Sequence, residues 1–334
     1  MTTIKDIAKT AGVSVTTVSR ALNGYSDVNE ATRKKIVETA RQLNYAPNTI
    51  ARSLVMKKSK TIGLLVSGFI RESLKDNFML NVLAGVNDFA STTEYDIVLF
   101  NTNSSKQREK TYHQLCRERQ VDGVVIQGIK TDDPYLEEII DADIPCVLVD
   151  IPKIGPKTGY VSTDNIAGAY EAGKHLIELG HQKIAMINGH DQAFVSKERL
   201  VGFEKALKES GLKLLQVEDG GFSEEGGRAS LLNIMSQNPD VTAIFCASDL
   251  MAIGALSALK ELGKSAPEDL SIVGYDDILL AKYVTPALTT VSQDTHGLGY
   301  EAAKMLIGML EGQQPGKTIV KHELMIRDSS QQCL

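Results

Sequence analysis

"GVSVTTVSRALNG", residues Gly12 to Gly24, decides how the front of this chain is read. A short helix ordinarily buries one stripe and covers the rest with charge, yet between Ser14 and Leu22 the only charged side chain is Arg20. Gly12 suits a tight turn just ahead. Ser14 can cap the helix that follows, and its hydroxyl also reaches far enough for a phosphate. Val18, Ala21 and Leu22 share one face; at about 100° per residue, Thr16 and Arg20 lie close together on the opposite one. Upstream, "TIKDIAKTAG" places Ile4, Ile7, Ala8 and Ala11 on a single apolar stripe. Downstream, "NEATRKKIVETARQLNY" predicts a third helix capped by Asn29, with Ile36, Val37, Ala40 and Leu43 turned inward. Helix, glycine turn, helix and supporting helix is the arrangement that lays a second helix in the DNA major groove.

On that arrangement the bare surface is meant for base edges. Arg20 can take O6 and N7 of guanine in bidentate fashion, worth roughly 1–3 kcal/mol of discrimination, and Thr16 can read a base edge or a thymine methyl. Val15 fits either a core position or an apolar base contact, and spacing does not choose. Charge agrees: residues 1–60 carry 11 Lys/Arg against 4 Asp/Glu, whereas residues 61–334 carry 25 against 38. A small basic module on a larger acidic body points to a polyanion partner for the front end alone. In "APNTIARSLVMKKSKTIG", Pro47 stops the third helix and Asn48 can cap a fourth, very short one. Leu54 there is either an apolar wedge for the minor groove or part of a plain linker.

The stretches "TIKDIAKTAGVSVTTVSRALN" and "LNYAPNTIARSL", with "ELGHQKIAMINGH", "ERLVGF", "SIVGYDD" and "PALTTVSQD" further on, resemble the LacI/GalR family of bacterial transcription regulators over nearly the whole chain. The resemblance implies Val15, Thr16 and Arg20 as base readers, Ser14, Thr17 and Asn23 near phosphates, and Leu54 as the minor-groove lever of a hinge helix begun by Asn48. It implies a fold of an all-α helix-turn-helix module plus hinge helix, followed by a two-lobed, periplasmic-binding-protein-like α/β body. The expected divisions are 1–46 for DNA binding, 47–58 for the hinge and 59–334 for effector binding and dimerisation. The two lobes of that body are expected at about 59–160 with a 291–320 crossover, and at 161–290 with a C-terminal crossover.

From Lys60 the pattern itself changes. "TIGLLVS", "DIVLFNT", "DGVVIQG" and "PCVLVDI" read as buried strands separated by helical stretches, and the rhythm returns in "KIAMING", "AIFCASD" and "SIVGYDD". Alternating strands and helices imply parallel sheets covered on both faces. In such sheets ligands sit at the carboxyl ends of strands, where Gln127, Asp150, Ser248 with Asp249, and Asp276 fall. Any one of these alone is an ordinary cap or turn former. The resemblance implies Arg199 and Asp276 as polar anchors of an effector, Phe78 and Phe222 as apolar walls, and Gln293 on a crossover strand. Carboxylate, guanidinium and amide groups suit a ligand with several hydroxyls, each able to donate and accept, so a carbohydrate is the expected class. Purine-responsive relatives carry an additional Arg where this chain has Ala193; a purine or nucleoside and a phosphoprotein co-regulator are the alternatives.

Other classes find little support. "LGKS" at 262–265 has the tail of a phosphate-binding loop, but Ala258 stands where its first glycine belongs. There is no GxSxG, HExxH or GxGxxG motif. The six histidines form no ligand pair at helical spacing, and His175 and His181 flank a helix end, where surface or capping roles are expected. The four cysteines lie far apart without a CxxC pair. No enzyme activity, cofactor or metal is expected. No run approaches the ~18 apolar residues of a membrane span, and "MTTIKDIAKT" lacks a secretory h-region, so a cytoplasmic protein is expected. The full expectation is a homodimeric repressor of sugar-uptake or catabolism genes that binds a pseudo-palindromic operator in double-stranded DNA under control of a small effector. The rival is a solute-binding protein, against which residues 1–58 argue.

Overall fold

The computed structural model describes residues 2–45, 58–67, 77–102 and 109–333; Asn48, Leu54 and the expected hinge helix lie outside the described residues. The chain divides into two compact units, Met1–Ser59 and Lys60–Leu334.

The first unit holds α1 (Ile4–Ala11), α2 (Val15–Leu22) and α3 (Glu30–Gln42). The Asp6 carboxylate accepts from both the Thr3 amide and its hydroxyl, closing the start of α1. Gly12 ends that helix in the left-handed region, φ 68°, which frees Val13 N to donate to Ala8 O at 3.1 Å. Ser14 Oγ then accepts from Thr17 N at 3.0 Å, and Asn29 Oδ1 accepts from Ala31 N at 2.8 Å. Ile7, Ala8, Ala11, Val18, Ala21, Ile36 and Ala40 form one small core. Val37, expected inward, is 51% exposed. Ile36 takes the core position, and the next residue is turned about 100° away from it, while Thr39 and Ala40 complete the buried face.

Among the described residues, the second unit contains two six-stranded sheets. One comprises β1 (Thr61–Val66), β2 (Asp96–Asn101), β3 (Gly123–Gln127), β4 (Cys146–Val149), β5 (Thr158–Thr163) and β11 (Lys317–Val320) in the order β11-β5-β4-β3-β1-β2, all parallel. The other comprises β6 (Ile184–Asn188), β7 (Val217–Asp219), β8 (Ala243–Cys246), β9 (Ser271–Asp276), β10 (Thr289–Gln293) and β12 (His322–Met325) in the order β12-β10-β9-β8-β6-β7, with only β12 antiparallel to its neighbour. Both faces of the first sheet are covered, as strand alternation requires. Ile62, Leu64 and Val66 pack with α4 (Phe78–Ala90) and α11 (Thr295–Leu310), and Leu65 packs on the other side with α5 (Tyr112–Glu118) and α6 (Leu136–Asp141). The second sheet packs with α7 (Asn165–Glu178), α8 (Phe194–Glu209), α9 (Glu224–Gln237) and α10 (Asp249–Glu261) around Phe203, Phe245 and Tyr275. The seven strands read from apolar runs are present; β10, β11 and β12 fall in the stretches expected to cross between lobes, and β5 and β7, which the runs do not single out, complete the sheets.

The chain passes between lobes after β5, after β10 and after β11. The first two passages share a device. Asp164 and Asp294 adopt nearly the same backbone angles, φ/ψ −74°/81° and −78°/77°, and each caps the helix that follows. Thr163 Oγ1 donates to Gln293 Oε1 at 2.9 Å, tying the two passages together.

His175 and His181 are not on the surface. They are 8% and 3% exposed and hold the C-terminal segment, His175 Nε2 against Ser330 Oγ at 2.9 Å and His181 Nε2 against Gln331 O at 3.1 Å. The chain's end folds back over the helix end, so a helix-terminal histidine becomes interior. Burial holds both imidazoles below the ordinary value of 6.5. A group whose pKa falls on folding lends its stability above the unfolded pKa and loses it as pH drops through the window below that value. The melting temperature is therefore expected to fall between pH 7 and pH 5, and more steeply in the wild type than in a His175→Gln, His181→Gln double variant. Parallel curves for the two proteins over that range would refute the assignment.

Candidate functional site

Two surfaces gather the residues singled out from the sequence. On α2, Ser14, Val15, Thr16 and Arg20 are exposed, and Thr17 and Asn23 are half-buried. Val15, at 39% exposure, is not part of the small core. Ser14 Oγ also bonds Thr17 Oγ1 at 2.8 Å, and the Asn23 amide donates to Ser19 Oγ at 3.4 Å. Arg20 is held by Asp27, with Nη2 to Oδ2 at 2.6 Å and Nε to Oδ1 at 3.1 Å, and its guanidinium lies 4.9 Å from the Tyr25 ring centre. The fork that grips this carboxylate has the geometry that fits two adjacent acceptors on a base.

The second surface is a cavity of about 250 Å³ in the larger unit. Gln127 at the end of β3, Asp150 after β4, Ser248 after β8, Asp276 at the end of β9, Arg199 from α8, Phe222 from the turn after β7 and Phe78 at the start of α4 all line it. Asp150, Phe222 and Asp276 have φ of 59°, 55° and 114°, in the region that L residues seldom occupy. Three such residues in one cavity wall are backbone strain kept at a site.

Arg199 is 3% exposed: Nε donates to Asn165 Oδ1 at 2.9 Å, Nη1 donates to Ala247 O at 2.6 Å and stands 3.6 Å from Asp276 Oδ1, and the guanidinium carbon sits 3.7 Å from the Tyr275 ring centre. Burial pushes the Asp150 carboxyl above the usual carboxylate range, against the opposing pull of the Ser162 hydroxyl and Arg199. Burial does the same to Glu198, whose carboxylate accepts from Asn165 Nδ2 at 3.3 Å. Asp150, Arg199 and Asp276 are each bonded to a residue at one of the passages between lobes. Asp150 accepts from Ser162 Oγ at 2.8 Å, Arg199 donates to Asn165, and Asp276 accepts from Gln293 Nε2 at 2.6 Å.

Two expected residues are elsewhere. Asp249 is fully buried behind the wall, where Oδ2 accepts from Ile278 N at 2.9 Å and Oδ1 from Thr290 Oγ1 at 2.6 Å. Burial, next to the Asp276 charge, lifts its pKa well above the ordinary range. Ser248 and Asp249 are consecutive residues at the start of α10, so when one faces the cavity the other faces the sheet. Gln293 likewise does not line the cavity; it holds Asp276 from behind.

Ala193, the position weighed for a purine, lines the cavity, which also takes residues that sequence reasoning does not single out, among them Ile129, Lys130, Val149, Ile151, His190, Phe194 and Val195. Of these His190 was legible, because it follows β6 as Asp150 follows β4. Lys130 Nζ donates to Gln192 Oε1 at 2.9 Å and Thr131 N donates to Gln192 O at 2.8 Å, joining the two lobes at the cavity's edge. Phe194, from the second lobe, packs against the core of the first. Among the described residues no group of three His, Cys, Asp or Glu side chains is arranged to hold a metal ion, and no helix is long and apolar enough to cross a membrane.

Residues 3–48 match the family model "Bacterial regulatory proteins, lacI family", and residues 174–330 match "Periplasmic binding protein-like domain". The transcriptional repressor PurR of Vibrio vulnificus (strain CMCP6) is 35% identical over 98% of both chains. A crystal structure of the lac repressor dimer bound to operator and the anti-inducer ONPF superposes with a TM-score of 0.84 at 28% identity, covering 99% of each chain. The structure of the transcriptional regulator CelR in complex with cellobiose superposes with a TM-score of 0.75 at 32% identity, covering 99% of this chain and all of the other.

Proposed function

The chain belongs to the LacI family of bacterial regulatory proteins, and from that footing we propose that it represses genes of carbohydrate uptake or catabolism, with its grip on operator DNA set by a polyhydroxylated small molecule held in the cavity of the larger unit. Two copies act together, each laying its α2 in one half-site of a pseudo-palindrome. Leu279, Leu280 and Tyr283, at 63%, 48% and 75% exposure, give the larger unit an apolar surface suited to a second copy. In this reading residues 1–46 bind DNA, 47–58 connect and 59–334 sense. The protein works by binding, without catalysing a reaction, and meets its operator in the cytoplasm.

On DNA, Val15, Thr16 and Arg20 meet base edges, while Ser14, Thr17 and Asn23 lie toward phosphates; Asn48 and Leu54 belong to the connecting segment that meets the minor groove. In the cavity, Asp150, Asp276 and Arg199 engage ligand hydroxyls with Gln127 and Ser248, and Phe78 and Phe222 pack on the apolar ring faces. Asp249 and Gln293 support this wall from outside it.

The observation that carries the ligand class is the donor set. Two carboxylates, a guanidinium and an amide line one cavity, and a hydroxyl can satisfy each of them because it both donates and accepts. The purine reading has the similarity to PurR on its side, but the cavity has Ala193 where a further arginine would serve a purine. Effector control follows from the ties described above. A ligand that draws on Asp150, Asp276 and Arg199 draws on Ser162, Gln293 and Asn165 at the passages between lobes, and so biases how the lobes close. Coupling of about 1–3 kcal/mol suffices, and by linkage the operator changes effector affinity by the same factor.

Fluorescence anisotropy of the full-length protein on genomic fragments, with a salt titration, tests the DNA half. The expected result is selection of one fragment over random competitor, with a steep negative salt slope. Thermal shift with glucose, ribose, cellobiose, adenine and guanine tests the other half. A ligand at about 100 times its Kd stabilises by roughly 2.7 kcal/mol, and the shift is expected with a sugar. A shift with a purine alone would overturn the carbohydrate reading.

A further inference from the structure

His190 has no assigned role, yet its surroundings are built as for a contact. Asn188 Oδ1 accepts from Gly189 N at 2.9 Å, Asn188 Nδ2 donates to Ser196 O at 3.1 Å and Ala193 N donates to His190 O at 3.1 Å, so the loop carrying it is pinned at both ends. Gly189 makes room for a neighbour: a Cβ there would stand 2.0 Å from Phe222 Cζ. The Phe222 ring occupies that space and meets the imidazole edge-to-face, at 5.5 Å and 88°. Packing therefore orients the His190 ring in the cavity wall.

Its Nδ1 is shut off from solvent and has no hydrogen-bond partner among the described residues. Folded proteins rarely leave a buried polar atom unpaired, because the lost water contacts are not replaced. The same is true of Gln127 Oε1, on a residue only 7% exposed. Gln127 comes from the first lobe and His190 from the second, and both line the same cavity. Building on the effector site proposed above, we infer that His190 is a specificity-determining residue of that site, whose Nδ1, opened to the cavity as the ligand enters, bonds a hydroxyl of the ligand while the Gln127 amide bonds another from the opposite lobe.

A hydroxyl is suited to this pair because it satisfies either tautomer of a neutral imidazole and either orientation of an amide. Burial, aided by Lys130, holds the imidazole pKa down, while Asp219, Asp191 and Asp132 pull against it. A ligand that reached both residues would be gripped by both lobes at once, beside the point where Lys130 and Thr131 already meet Gln192.

Calorimetric titration of the full-length protein with glucose, ribose, cellobiose, adenine and guanine tests the inference on wild type, His190→Phe and His190→Asn. The phenyl ring keeps the contact with Phe222 and removes the nitrogens; the Asn amide restores a polar atom near the Nδ1 position. For the probe that wild type binds most tightly, His190→Phe is expected to raise Kd at least about tenfold, and His190→Asn by no more than about threefold, with the melting temperature of the free protein unchanged. A Kd in His190→Phe within about twofold of wild type would overturn the inference, as would His190→Asn binding no better than His190→Phe. Wild type binding a purine and no sugar would remove the carbohydrate reading, and the same two ratios measured on that purine would still judge His190.

Discussion

Replacing Arg199 by methionine is expected to lower effector affinity by about two orders of magnitude, the worth of about two hydrogen bonds to a buried charged group, and to destabilise the larger unit by about 3–5 kcal/mol. Both effects have one cause. The guanidinium is 3% exposed and satisfies Asn165 Oδ1, Ala247 O and the Asp276 carboxylate at once. Without it two acceptors lose their donor, and Asp150 and Asp276 lose the positive charge beside them. Arg199→Lys separates the contributions. An ammonium restores the positive charge and much of the stability, but it cannot present the planar fork, so the ligand response stays weak. Operator binding is expected to survive in both variants below their melting temperature, because the helices of residues 4–42 have a core of their own around Ile7, Val18 and Ile36. Calorimetry on the ligand found by thermal shift, alongside anisotropy on the operator, reads both. An undiminished ligand response in Arg199→Met would place the effector outside this cavity.

Arg20→Ala is expected to erase operator preference while leaving general affinity for DNA. A bidentate contact to guanine is worth roughly 1–3 kcal/mol, and a two-fold dimer loses it twice, so discrimination should fall by about one to four orders of magnitude. Base contacts add little to counterion release, so the salt slope should change little. The free protein already holds this side chain against Asp27 and Tyr25. Both partners of that ion pair are about half exposed, so the pair lends little stability, and its consequence is to limit the rotamers that Arg20 must give up on binding. Anisotropy on the specific fragment and on random competitor, each over a salt series, measures the ratio and the slope. An unchanged ratio would mean that α2 does not enter the groove by this face.

The three front helices were legible because every signal in them is local. Asp6, Ser14 and Asn29 cap the helices that follow them, Gly12 turns the chain, and apolar spacing names the buried face. Even there spacing misplaces Val37, since two adjacent β-branched residues cannot both face one core from a helix and spacing alone includes both. Spacing does not decide Val15, and the structure exposes it, because the core of seven small and branched side chains is complete without it.

In the larger unit the sequence alone determined the alternation of strand and helix, the parallel sheets that alternation demands, and the rule that polar residues at strand ends gather in one place. Gln127, Asp150, Ser248 and Asp276 obeyed it. Tertiary structure decided which of two consecutive residues, Ser248 or Asp249, faces the cavity, and that Gln293 holds Asp276 instead of lining the wall. It also decided that His190 and Phe222 meet and that His175 and His181 anchor the chain's end. These outcomes depend on pairings such as β5 with β11 and β10 with β12, between segments whose neighbours are set by how two sheets close on each other. Caps and periodicity are energies of a few adjacent residues and can be read along the chain. The facing of a strand-end side chain is fixed by whichever distant element fills the space beside it, and that is settled only when the whole core packs.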